Sequence, residues 1–140
     1  APGGKSLHLA DKMKGTGCVE ARDLTYQKVA LIEENASRMG ALNVKAVQWD
    51  ATEFDPESEN KADLVIADLP CSGLGIIGKK PDIKYHTTEE NLKELAKLQR
   101  EILSVVWKYV KPGGRLIYST CTINKEENTE NARWIAENLL

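Results

Sequence analysis

Apolar residues recur along this chain in two alternating rhythms. Val29, Ile32, Ala36 and Met39 stand at steps of three and four, which lines one face of a helix that stops at Gly40. Residues 5–13 predict an earlier helix, entered from a glycine pair and left at Gly15-Thr16-Gly17. Leu92, Leu95, Leu98, Ile102, Val105 and Tyr109 continue one apolar face of a long helix, opened at Thr88-Glu89-Glu90 and broken at Lys111-Pro112-Gly113-Gly114. Asn124 followed by Glu127 fits the cap of a last helix. Between these lie short runs with strand character: residues 18–22 ending at Asp23, residues 44–49 ending at Asp50, residues 64–67 ending at Asp68, and residues 115–119. Strand and helix alternate, which predicts an α/β fold with a mostly parallel sheet and helices on both faces. Residues 55–60 form a polar turn, and residues 70–87 a long loop rich in glycine and lysine, a length more typical of functional segments than of simple connections.

Composition narrows the picture. With 140 residues, 41% hydrophobic, residues 1–140 have room for one domain with a single core. The formal net charge of −2 provides no broad field for nucleic acid, so such affinity has to come from a local basic patch. No apolar run approaches the ~20 residues of a membrane span, and the first five residues lack the basic and apolar segments of a signal peptide. A cytoplasmic, monomeric protein is therefore expected. Three cysteines with no Cys-x-x-Cys pair and no nearby histidines predict free thiols and no metal site. Cys18, within a predicted strand, reads as a small core residue, and His8 as structural. Trp49, Trp107 and Trp134 fall at apolar positions and are expected in the core.

The strand ends carry the candidate chemistry, because ligands of open α/β sheets sit at the carboxyl ends of the strands. Pro2-Gly3-Gly4-Lys5 opens a helix with a backbone that a ligand can approach closely. Asp23, about twenty residues on, ends the next strand where an acidic group accepts ribose hydroxyls, and Asp50 ends the one after. That ordered series points to a nucleoside cofactor. Asp68-Leu69-Pro70-Cys71 and Ser119-Thr120-Cys121-Thr122 each put a cysteine where a strand ends. Neighbouring strands lie about 4.8 Å apart, so two thiols distant in sequence can face one substrate. Each has a plainer reading, with the cysteines packed in the core and Asp68 capping a turn. Lys79, Lys80, Lys84 and His86, interleaved with Tyr85, suit phosphate contact and base stacking, or merely a solvated loop.

Ala-Pro-Gly-Gly-Lys, Asp-Leu-Pro-Cys-Ser-Gly and Ser-Thr-Cys-Thr, in this order, resemble the motifs of the Sun family of RNA cytosine-5 methyltransferases. The loop from Gly73 to Tyr85 is most similar to bacterial members that act on 16S ribosomal RNA. The resemblance runs over essentially the whole chain and implies a Rossmann-like S-adenosylmethionine-dependent methyltransferase fold. Family members carry a strand before the first motif, antiparallel strands at the C-terminus and an N-terminal RNA-binding region. The chain is thus expected to be a partial catalytic domain, lacking its first strand and its last ones. The resemblance further implies that Ala1, Pro2, Gly3, Gly4, Lys5, Asp23, Asp50 and Asp68 contact the cofactor. Cys121 is then the nucleophile, Cys71 assists release, and Lys79, Lys80, Lys84 and Tyr85 meet RNA.

The chemistry explains why two thiols are wanted. Carbon 5 of cytosine is a poor nucleophile, and a thiolate adding at carbon 6 makes it enamine-like. A strand end near helix amides or cations is expected to lower the Cys121 pKa. Asp68 could hydrogen-bond the base at nitrogen 3 and offset developing charge. Two other readings stay open: the same chemistry on transfer RNA, and a non-catalytic RNA-binding or assembly module on the same fold. DNA methylation fits less well, since the DNA enzymes resemble a different motif set.

Overall fold

The computed structural model describes residues 3–80, 82, 83 and 87–139, which fall into two compact units, Ala1–Glu53 and Phe54–Leu140. In the first, β1 (Val19–Asp23) and β2 (Val44–Gln48) pair in parallel, with Val19 opposite Val44 and Asp23 opposite Gln48. α1 (Gly4–Lys12) and α2 (Tyr26–Met39) pack on this pair. The three-and-four spacing of α2 buries Val29, Ile32 and Ala36, and Gly40, at φ 67°, ends the helix by donating its N–H to Ala36 and Ser37. Met39, expected on the same face, is 60% exposed in the final helical position. α1 buries Leu7 and Ala10 and turns His8 to solvent. Cys18 precedes β1 and is exposed rather than a core residue. Trp49 is only half-buried, its Nε1 donating to the Glu53 carbonyl at 2.9 Å beneath the Arg22 guanidinium.

In the second unit, β3 (Ala62–Asp68) and β4 (Val110–Ser119) form another parallel pair, in register from Leu64 opposite Arg115 to Asp68 opposite Ser119. The Lys-Pro-Gly-Gly stretch predicted to separate helix from strand is instead carried within β4. Ala62 faces Val110 and Leu64 already faces Arg115, so residues 111–114 bulge, helped by Gly113 at φ 81°. α3 (Glu89–Val106) starts as predicted, Thr88 Oγ1 accepting the Asn91 N–H at 3.2 Å.

Its buried stripe is rotated from the leucine face, being Ala96, Gln99, Ile102 and Leu103. Leu92, Leu95 and Leu98 are half-buried and line a cavity of about 500 Å³ that also takes in Cys71 and Ser72. Leu103, fully buried with Ala67 and Ile135, anchors the core, where Leu69, Val106, Leu116, Tyr118 and Trp134 pack. Burying such a leucine stabilises by about 1.5–3 kcal/mol. Trp134 is partly exposed at its edge, and Trp107, also expected in the core, is partly exposed. The last helix is entered at its predicted cap, Asn124 Oδ1 accepting the Glu126 N–H at 3.3 Å, but its first turn is π-helical (Glu126–Glu130) before α4 (Asn131–Asn138).

Candidate active site

In the first unit, the residues expected at a nucleoside cluster at one end of the strand pair. Gly3 caps α1 at φ 86°, a left-handed conformation that favours glycine, and a Cβ there would sit 3.3 Å from the Ile32 side chain. Gly4 follows with open space where a side chain would be, and Lys5 stands exposed in the same turn. Asp23 is half-buried at the end of β1, its Oδ1 accepting the Thr25 N–H at 3.3 Å with Lys28 Nζ 3.8 Å away. The Trp49 N–H donates to the Asp23 carbonyl, which brings Asp50 to the same end. Asp50 Oδ1 accepts both the hydroxyl and the N–H of Thr52, at 2.7 and 2.9 Å, and these bonds hold its carboxyl below the ordinary value of 3.8. Ala1 and Pro2 lie outside the described residues.

In the second unit, paired strand ends bring the two cysteine motifs together. Asp68 and Ser119 are register partners, and Ser119 Oγ donates to Asp68 Oδ1 at 3.2 Å. Beyond them the chains turn so that Cys71 Sγ and Cys121 Sγ stand 3.0 Å apart. Cys121 is exposed and Cys71 half-buried. The Cys121 N–H reaches Cys71 Sγ at 3.3 Å, and the Gly75 N–H closes back onto the Cys121 carbonyl at 3.0 Å. A Cβ at Gly75 would lie 2.8 Å from that carbonyl oxygen, so the approach depends on glycine. The expected lowering of the Cys121 pKa is not found. Its hydrogen bond with Cys71 pushes the thiol up from 9.0, with further contributions from burial and the negative charge of Asp68. Among the described residues, neither a helix start nor a cation lowers it. Lys79 and Lys80 are exposed on the loop, their N–H groups bonded to the Ile76 carbonyl, whereas Lys84, Tyr85 and His86 lie outside the described residues.

Under the thiols lies a buried polar cluster that sequence reasoning missed. Glu127 is fully buried, and its carboxylate accepts four neutral donors: Ser72 N–H and Gln99 Nε2 on Oε1, Ser72 Oγ and Asn124 Nδ2 on Oε2. Burial pushes this carboxyl up, but the donated bonds outweigh it and hold the pKa below the ordinary 4.5. Gln99, also fully buried, donates to the Pro70 carbonyl at 2.8 Å and accepts from Asn131 and Tyr118. The available signal was Gln99 itself, a polar residue within an apolar helix stripe. Glu127, read as a capping carboxylate, looked fully explained.

The whole chain bears out the motif reading when set against known proteins. The family model for 16S rRNA methyltransferase RsmB/F matches residues 1–138. The chain belongs to the RsmB/F family. The probable ribosomal RNA small subunit methyltransferase B of Bacillus subtilis is 44% identical over 131 residues, covering 93% of this chain and 29% of that protein. The ribosomal RNA small subunit methyltransferase F of an Escherichia coli strain is 36% identical over 98% of this chain and 29% of its own length. The chain thus spans under a third of these RsmB/F relatives. Among solved structures, NSun6 from Pyrococcus horikoshii with SFG superposes with a TM-score of 0.87 at 36% identity, over 98% of this chain and 35% of that one. Its likeness agrees with the parallel α/β pairs seen here. No helix among the described residues is long and apolar enough to cross a membrane, and no group of three or more potential metal ligands occurs among them.

Proposed function

We propose that the full-length protein transfers a methyl group from S-adenosylmethionine to carbon 5 of a cytosine in RNA, with 16S ribosomal RNA as substrate, through a cysteine adduct. One observation carries the reading: two thiols from separate strand ends converge to 3.0 Å, next to the Asp68 carboxylate. A scaffold has no need of that convergence. Gly3, Gly4 and Lys5 at the bare start of α1, with Ala1 and Pro2 before them, would hold the cofactor together with Asp23, Asp50 and Asp68. The exposed glycine backbone and half-buried Asp23 suit a nucleoside with ribose hydroxyls. When bound, S-adenosylmethionine supplies the methyl group to carbon 5.

The chain's own residues do the rest. Cys121 Sγ bonds to carbon 6, and Asp68 stabilises the altered ring by a hydrogen bond at nitrogen 3. As the bond to carbon 6 forms, the Cys121 proton passes to nitrogen 3, where Asp68 holds it, so Cys71 Sγ, 3.0 Å away, is kept for the later step. After transfer, Cys71 assists removal of the carbon 5 proton; the carbon 6–sulfur bond then breaks and Cys121 departs with its electron pair. Lys79 and Lys80, with Lys84 and Tyr85, contact the RNA around the target.

The test is mass spectrometry of nucleosides from unmethylated 16S RNA incubated with isotope-labelled S-adenosylmethionine and full-length protein. The expected product is labelled 5-methylcytosine. Cys121→Ala should form neither product nor adduct, and Cys71→Ala should accumulate a denaturation-resistant protein–RNA species that requires S-adenosylmethionine. Label on another base, or an active Cys121→Ala, would overturn the reading. Label appearing only on transfer RNA would keep the chemistry and replace the substrate.

A further inference from the structure

Each cysteine is flanked by residues tied, directly or through Gln99, to one residue of the same π-helical turn. Cys71 lies between Pro70, whose carbonyl accepts Gln99 Nε2 at 2.8 Å, and Ser72, whose N–H and Oγ donate to Glu127 at 2.9 and 2.5 Å. Gln99 Nε2 also donates to Glu127 Oε1 at 2.9 Å, so both flanks of Cys71 lead to one carboxylate. Cys121 lies between Thr120, whose Oγ1 donates to Asn128 Oδ1 at 2.5 Å, and Thr122, whose carbonyl accepts Asn128 Nδ2 at 2.8 Å. Glu127 and Asn128 are consecutive, on a turn whose Glu130 N–H reaches back to the Lys125 carbonyl. Turns of this wider kind are rare and recur at functional sites.

Proton counting shows how the two supports are joined. Ser72 Oγ has one hydrogen, and the buried carboxylate takes it, so the 2.7 Å bond between Ser72 Oγ and Thr122 Oγ1 is donated by Thr122. Thr122 Oγ1 in turn accepts the Asn124 N–H at 3.2 Å. Hydrogen bonds therefore run one way, from Asn124 through Thr122 and Ser72 to Glu127, and the anion at the end polarises all of them.

We propose that Glu127 and Asn128 are the positioning residues of the two thiols, Glu127 setting Cys71 and Asn128 setting Cys121. Neither touches the reacting atoms. The two therefore control different steps of the reaction: loosening Glu127 handicaps whatever Cys71 does, and loosening Asn128 whatever Cys121 does. A merely structural role would instead lower both steps together, in proportion to the folded protein lost. The lowered carboxyl pKa of Glu127 is consistent with its being an anion saturated by donors.

The inference rests on the adduct chemistry proposed above, and its test separates the two. Full-length Glu127→Gln and Asn128→Asp would be compared with Cys71→Ala and Cys121→Ala on unmethylated 16S RNA with S-adenosylmethionine, following methyl transfer and adduct decay separately in single turnovers. Glutamine sets an NH₂ against donors, and aspartate removes the donor to Thr122. Glu127→Gln should slow adduct decay about tenfold, the scale of a charge-assisted hydrogen bond, and so accumulate the species seen with Cys71→Ala. Asn128→Asp should slow adduct formation about tenfold and trap nothing, as with Cys121→Ala. Should either variant fail to fold, Ser72→Ala and Thr120→Ala break the same supports from the other side. If the cysteine variants separate but their partners slow both steps equally, or pair with the opposite cysteine, this inference is wrong. If neither cysteine variant affects adduct or transfer, it is the proposed function that fails.

Discussion

The two units satisfy the polar groups of their candidate sites in opposite ways. In the first, Asp23 and Asp50 accept hydrogen bonds from Thr25 and Thr52, each two residues on. In the second, Ser72 meets Glu127 across 55 positions of sequence and Cys71 meets Cys121 across 50. Local turns leave a carboxylate at the surface, able to exchange a weak backbone contact for a ligand hydroxyl. A buried long-range network cannot exchange partners without stranding others, so it fixes geometry instead. On the proposed reading, one unit receives a ligand and the other holds two sulfurs in place.

The sharpest way to break this contrast is to remove Glu127. Glu127→Ala takes the acceptor from four donors around a buried position and should cost about 3 kcal/mol of stability, read from denaturant midpoints, whereas Asp50→Ala should not measurably shift the midpoint. Acid titration sharpens it. Because the folded pKa of Glu127 lies below 4.5, its contribution is fully present above that pH and is lost as pH falls through the folded value. Glu127→Gln should therefore flatten the acid limb of the stability curve. An alanine variant as stable as the parent would show that the network is not a fixed support.

The same contrast explains what was legible beforehand. Strand ends at Asp23 and Asp68, the Thr88 cap and the Gly40 stop follow from local spacing and turn chemistry, and each is found within a residue or two of where the pattern puts it. The convergence of Cys71 and Cys121 was legible because parallel register brings ends of strands together. The support beneath was not. Glu127 fits a capping box in sequence, and only the placement of Ser72 and Gln99, far away along the chain, turns it inward. Likewise the leucine periodicity of α3 places its most apolar face correctly in period but not in azimuth, since Gln99 is drawn to the centre by polar partners. The raised Cys121 thiol does not follow from that convergence alone: register brings the strand ends together, but only the tertiary fold sets the sulfurs 3.0 Å apart in a hydrogen bond.

A smaller effect tests the receiving unit. If Asp23 exchanges its Thr25 contact for ribose hydroxyls, Asp23→Ala in the full-length protein should weaken S-adenosylmethionine binding by roughly 1–3 kcal/mol by calorimetry. The fold should be unaffected, because the bond lost is a local one at 3.3 Å on a half-buried group. Unchanged affinity would remove Asp23 from the cofactor site and weaken the picture of the first unit as a receiver.

The smallest expected effect concerns the loop that follows Cys71. Lys79 and Lys80 are exposed, their N–H groups bond to Ile76, and among the described residues their ammonium groups take no part in the network around the thiols. Their use, if they meet phosphates, is to release counterions on RNA binding. Each phosphate contact on a single strand contributes about 0.7 to the slope of log affinity against log salt. Replacing both by alanine should therefore flatten that slope by up to about 1.4 units while leaving cofactor affinity and adduct decay as they were. Measured by filter binding across a salt series, an unaltered slope would return the two lysines to a solvated surface; a changed decay rate would instead tie this loop to the support of Cys71 and blur the division between holding and receiving.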